Sequence, residues 1–105
     1  MAKGYWVVRV DVKDPEAYKK YVAANGPAFA KFGARFLVRA GRFETLEGKS
    51  RARNVVIEFP SYEAALACWH SPDYQEVLKL RRDASEADLL VIEGYDGPHP
   101  EPAKQ

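Results

Sequence analysis

Cysteine is nearly absent from this chain: Cys68 stands alone among 105 residues. A single thiol excludes an intrachain disulfide and a cysteine-based zinc cage, and it fits a reducing, intracellular setting. Long apolar runs are also lacking. Nothing approaches the roughly 18 residues of a membrane span, and the first residues, MAKGYWVVRVDV, have no signal-peptide core. A cytoplasmic protein with no membrane association is therefore expected. Nor is there an excess of one charge, since 16 basic residues face 15 acidic ones for a net charge of +1. That balance argues against nucleic acid as a partner, because phosphate backbones call for a concentrated positive surface. No GxGxxG, Walker loop or zinc-ligand spacing occurs, so no cofactor and no metal are expected.

What remains is a chain of one-domain length, rich in aromatics, with 2 Trp, 6 Tyr and 5 Phe. Residues 5–12, YWVVRVDV, read as a first strand. Asp14-Pro15 marks a helix start, with Asp14 as the cap and Glu16 where the helix dipole favours negative charge. Tyr18, Tyr21, Val22, Phe29 and Phe32 follow at helical spacing, and Gly26-Pro27 predicts a kink or a break before Gly33 ends the segment. Strands are expected over residues 34–43 and 54–59. Ser61 and Ser71-Pro72 then open helices over 62–69 and 72–82, the second with Tyr74, Val77, Leu78 and Arg81 on its inner stripe. A last strand is expected over 88–95. The order gives an α+β, ferredoxin-like βαββαβ fold: a four-stranded antiparallel sheet with helices on one face. One domain over residues 1–96 and a flexible, proline-rich tail over 97–105 complete the expectation.

The segment from 33 to 61 carries the most information. Strict alternation puts Phe36, Val38, Ala40, Val55, Ile57 and Phe59 under the helices and leaves Arg35, Leu37, Arg39, Asn54, Val56 and Glu58 on the open face. A loop centred near Glu47-Gly48 sets Arg39 opposite Glu58. In the outer strands, Trp6, Val8, Val10, Leu90 and Ile92 suit the covered side, and Val7, Val91, Glu93 and Tyr95 the open one. An open face with an apolar centre is wrong for a sheet left in water, which predicts a homodimer closing face to face as a dimeric α/β barrel. Arg39 and Glu58, buried there, would form either a ligand pocket or an ion pair that satisfies the interface.

The stretches DPEAYKKYV, FGARFLVRAG, LEG, VVIEFPS, EAA and SPDYQ together resemble the bacterial family known as domain of unknown function 1330, over about residues 3–95. The resemblance implies the dimeric α/β-barrel (ferredoxin-like) architecture, and it matches Arg39, Glu58, Ser71 and Tyr74 to recurring positions. Alanine replaces a family glycine at Ala34 and again at Ala40. It implies no reaction. Members of the wider superfamily include cofactor-independent monooxygenases, lactone isomerases, haem-degrading enzymes and plain ligand binders, and fold alone does not choose between them.

Candidate roles can be assigned residue by residue. Glu58 and His70 are the candidate proton acceptors. Arg39, Glu58, Trp69, His70 and Tyr18 are the candidate ligand-binding residues. His70 alone remains available as a haem ligand, while a two-histidine metal site would need His99 from the tail. Ser71 is most simply a helix cap, and Cys68 a buried, inert thiol. The charged loop 44–53 is either a lid or a solvated hairpin tip. The leading expectation is binding of a small organic or anionic ligand beside the sheet. The alternatives are a cofactor-independent monooxygenase or isomerase and a non-catalytic dimeric accessory protein.

Overall fold

A computed structural model of the chain describes residues 2–102, so the last three residues of the expected tail lie outside it. Three hydroxyl or carboxylate caps open the helices where the sequence marks them. The Asp14 carboxylate accepts from the Ala17 N–H at 3.2 Å, Ser61 Oγ from Ala64 at 3.0 Å, and Ser71 Oγ from Tyr74 at 3.1 Å. They start α1 (Pro15–Lys31), α2 (Tyr62–His70) and α3 (Pro72–Arg82), set among strands β1 (Gly4–Val12), β2 (Arg35–Arg39), β3 (Arg53–Phe59) and β4 (Ser85–Glu93). The strands form one antiparallel sheet in the order β2-β3-β1-β4. This is the expected ferredoxin-like α+β fold. No helix among the described residues is long and apolar enough to cross a membrane.

The helices cover one face of the sheet, and Trp6 sits at the centre of what they bury. Its ring is fully enclosed and meets Tyr74 at 4.9 Å, Phe29 at 5.3 Å and Phe59 at 5.4 Å between centroids. Its indole N–H donates to the Ala65 carbonyl at 2.8 Å, so the one polar atom carried inward is satisfied. Truncation to alanine would cost about 3–5 kcal/mol.

Four expectations need correction. First, α1 is a single helix that runs through Gly26-Pro27. The hydrogen bond that Pro27 cannot make belongs to the carbonyl of Ala23, which is exposed and can turn to water. Second, β2 stops at Arg39, and residues 40–52 form no strand. Third, a β-bulge interrupts the β2–β3 ladder between Phe36 and Val38. Before it Arg35 faces Glu58 and Phe36 faces Ile57; after it Val38 faces Val56 and Arg39 faces Val55. The extra residue reverses the alternation, so Val38 lies on the open face and Arg39 on the covered one. Glu58 is already taken by Arg35 before the bulge, so the expected Arg39–Glu58 pairing fails on register as well as on face. Fourth, β4 presents the other face to the core. Trp6 pairs with Val91 and Val8 with Leu89, leaving Leu90 and Ile92 on the open side, each 51% exposed. In a run of four apolar residues the period-2 signal vanishes, and only pairing to β1 decides.

Two positive-φ positions frame β2. Gly33, at φ +74, ends the α1 segment in the conformation that glycine adopts freely. Ala40, at φ +57, is the one non-glycine residue in that region among those described, and it stands where the family resemblance has a glycine.

Candidate functional site

The bulge gathers three arginines under the helices. Arg39, at the end of β2, lies over the Phe36 ring, its guanidinium carbon 4.1 Å from the ring centroid. Arg53 opens β3 on the same side and lies 5.4 Å from the Tyr18 ring. Arg81, on the inner stripe of α3, lies 5.6 Å from Tyr21 and is only 6% exposed. All three line one cavity of about 30 Å³, walled by Tyr18, Tyr21, Phe29 and Phe36, with Asn25 as the other non-aromatic polar side chain. That volume holds about two waters or one carboxylate group. The cations are graded by depth, from exposed Arg39 at the mouth to buried Arg81 at the back.

Among the described residues, no carboxylate and no histidine lines this cavity. Among the described residues, the ion pairs use other cations: Lys19, Lys31, Arg35, Arg51 and Lys79. The Nε atoms of Arg53 and Arg81 are buried without a hydrogen-bond partner. A buried cation lacking an anion carries a desolvation penalty of several kcal/mol, of which stacking on an aromatic ring returns about 1–2. Arg81 nonetheless holds its proton firmly. Burial works against its charge, the phenols of Tyr74 and Tyr21 work for it, and the net direction is upward.

Those phenols meet at 2.8 Å, hydroxyl to hydroxyl. Burial, then the neighbouring Tyr74, push the Tyr21 phenol far above its ordinary value; burial also raises Tyr74, against the pull of Arg81. Both are therefore neutral hydrogen-bond donors near neutral pH, and neither serves as a base. Cys68 is buried, its thiol pushed up to about 12 by burial and by the charge of Asp73, and is inert at neutral pH. The Ser71 hydroxyl is fully used, accepting from Tyr74 N–H while donating to the Cys68 carbonyl at 2.7 Å.

The remaining sequence-derived candidates scatter. Tyr18 joins Arg39 at the cavity wall. Glu58 is on the opposite face of the sheet, paired with Arg35 at 3.6 Å. His70 ends α2, exposed, away from the cavity. Trp69 packs on Trp6 and Tyr74 and lines a neighbouring groove of about 350 Å³ between α3 and β4, together with Leu78, Arg82 and Ala87. Arg53 and Asn25 were not among the candidates, and nothing local marks them. Arg81 had a signal: an arginine at the inner position of a helix stripe.

The open face differs in kind. Val7, Val38, Val56, Leu90 and Ile92 form an apolar band, and two of its cations, Arg35 and Arg51, have acids beside them. Arg51 meets Asp11 and Asp88 at 2.8 Å each and Glu86 at 3.7 Å. Arg9 donates to the Lys49 carbonyl at 2.8 Å, and Asp11 accepts from the Ala52 N–H at 2.9 Å. These contacts pin the end of loop 40–52 to the open-face side. None of that loop's residues lines the arginine cavity, so the loop is not a lid on it. No cluster of three metal-ligating side chains occurs among the described residues.

The family model described as "Domain of unknown function (DUF1330)" matches residues 3–95. No curated protein matches the chain. Solved structures do. A protein of unknown function from Rhodopseudomonas palustris is 22% identical, covers 91% of this chain and 85% of its own, and superposes with a TM-score of 0.72. SnoaB, a cofactor-independent oxygenase from Streptomyces nogalater, is 16% identical with a TM-score of 0.63, over 96% of this chain and all of its own. A dimeric ferredoxin-like protein of unknown function from Thermobifida fusca is 15% identical with a TM-score of 0.57, over 88% and 89%. At these identities the likeness establishes the fold alone.

Proposed function

The chain belongs to the DUF1330 family, and on that premise we propose that it is a cytoplasmic homodimer that seats the anionic group of a small organic ligand in the arginine-lined cavity between sheet and helices. One observation carries the reading: Arg39, Arg53 and Arg81 converge on an aromatic-walled space with no carboxylate, and two of them keep a buried Nε without a partner. Guanidinium groups suit carboxylate or phosphate oxygens, and flat aromatic walls suit an apolar body. The homodimer rests on the apolar band of the open face, whose Leu90 and Ile92 are half exposed in a single chain, and on the dimeric relative of the same fold. Residues 2–96 form the binding domain, and the segment after it returns to touch Tyr95, whose hydroxyl donates to the Pro98 carbonyl at 2.7 Å.

The oxygenase or isomerase alternative draws on the likeness to SnoaB. It is disfavoured because Glu58 and His70 stand away from the cavity, leaving no carboxylate or imidazole there to take a proton. An accessory protein with purely structural charges would pair its most deeply buried cation, as the open face pairs the partly buried Arg51. Thermal melting in a panel of small carboxylates and phosphate esters tests the proposal. A ligand at 100 times its Kd adds about 2.7 kcal/mol, on the order of 10 °C in a domain of this size. At least one anion is expected to raise the melting temperature of the wild type and not of Arg53→Met. If no anion does so, the binding reading fails.

A further inference from the structure

A cavity of about 30 Å³ is too small for a whole organic ligand, which ordinarily fills roughly 300–1,000 Å³. The neighbouring groove of about 350 Å³ is large enough. Two side chains, Arg81 and Leu89, line both spaces and form the partition between them. One is the deepest cation of the cavity. The other is a half-buried residue on β4, an edge strand. The two compartments differ mainly in size. Three cations converge on the small cavity, whereas the larger groove sets Trp69, Leu78, Ala87 and Leu89 beside Arg81, Arg82 and Ser85.

Building on the anion-binding reading above, we propose that cavity and groove are two halves of one site, and that its ligand is an amphipathic monocarboxylate. The carboxylate passes the Arg81–Leu89 partition into the arginine cavity, on which Arg39, Arg53 and Arg81 converge. The unbranched apolar body lies along the groove against Trp69. Cavity volume matches the head group and excludes the body; the groove has room for the body, with Trp69 and Leu78 to pack on, and shares only Arg81 with the three-arginine cavity. A bare anion therefore fills only half the site, and an apolar alcohol only the other half.

Octanoate, acetate and octan-1-ol separate the possibilities. They are titrated into the full-length protein by ¹⁵N–¹H NMR, with the Trp69 indole and the Ala87 and Leu89 amides as reporters of the groove. Octanoate is expected to bind on the order of 10- to 100-fold more tightly than acetate, the gain of its added methylenes, and to shift all three reporters. Acetate should leave the Trp69 indole unmoved, and octan-1-ol should bind at least about 10-fold more weakly than octanoate, lacking the charge-assisted hydrogen bonds. Ala87→Trp, which fills the groove from an edge strand, should erase octanoate's advantage over acetate. Equal affinities for acetate and octanoate, with an unmoved indole, would overturn the two-compartment proposal and leave the anion site standing. Octan-1-ol binding as well as octanoate would overturn both, as would no binding by either carboxylate.

Discussion

The two faces of this sheet handle arginine in opposite ways. On the open face, Arg51 is surrounded by Asp11, Glu86 and Asp88, and Arg35 stands beside Glu58. On the covered face, Arg39, Arg53 and Arg81 have aromatic rings for neighbours and no acid among the cavity-lining residues. Burial and neutralisation do not run together: Arg51, only partly buried, has three acids around it, whereas Arg81, the best-buried cation among the described residues, lacks a carboxylate. A fold selecting only for stability would reverse that assignment, because an unpaired charge is tolerable in water and costly inside. On the proposed reading the open-face charges tie down a loop and border an apolar band. The covered-face charges make sense once an anion from outside joins them.

Each face can be broken separately. The largest effect is expected at the open one. Ile92→Glu places a carboxylate in the proposed dimer contact and should raise the dimer dissociation constant by about a thousandfold or more, an effect of roughly 4 kcal/mol. Sedimentation would show a folded monomer, since Ile92 is half exposed in the single chain. A wild type that is already monomeric at micromolar concentration would end the dimer proposal. On the covered face, Arg81→Met should lower anion affinity by about 100-fold, the loss of a charge-assisted pair. The same change is expected to stabilise the ligand-free protein by about 1–3 kcal/mol in a denaturant titration, because an apolar chain replaces an unpaired buried charge. A destabilised variant would mean that Arg81 serves the fold.

Extremes of pH should also tell the faces apart. Folding holds the Tyr21 and Tyr74 phenols above their ordinary values, so the unfolded chain ionises first, near pH 10. Their contribution is complete below that pH and is lost as pH rises beyond it, so alkali should loosen the covered face. Asp11 behaves oppositely. The Ala52 N–H and then Arg51 hold its carboxyl below the usual range, so its contribution exists above about pH 4 and disappears as pH falls through the lowered value. Acid should therefore release the loop at residues 49–52 first, read as faster amide exchange there while the core stays protected. Exchange that accelerates uniformly at both extremes would erase the distinction.

The smallest effect concerns the point where β2 changes faces. Ala40 holds φ +57, and Ala40→Gly should stabilise the fold by about 1 kcal/mol with no change in ligand affinity. A loss of stability would show that Ala40 is fixed by packing rather than strained.

The fold was legible because its signals are local. The caps Asp14, Ser61 and Ser71, the β-branched run of β1 and the element order lead to the ferredoxin-like arrangement without long-range information. The open-face apolar band was legible in kind, although three of its residues, Val38, Leu90 and Ile92, were assigned to the wrong side. The candidate site was much less so. A bulge at Leu37 is invisible to an alternation count, and that single extra residue separates Arg39 from Glu58 by the thickness of the sheet. The run from Leu89 to Ile92 has no alternation to read. Arg53 and Arg81 come from distant parts of the chain, and long polar side chains are assigned to the surface by default. Only the placement of Arg81 on the inner stripe of α3 hinted that a charge goes inside.

The central claim is that the covered-face arginines exist to hold an anion, and a high-resolution crystal structure of the protein grown with octanoate tests it most directly. The account predicts carboxylate density within about 3 Å of the Arg53 and Arg81 Nε atoms, with the chain of the ligand lying against Trp69. Density showing both guanidinium groups bonded to carbonyls or carboxylates of the protein itself, with octanoate bound elsewhere or not at all, would contradict it.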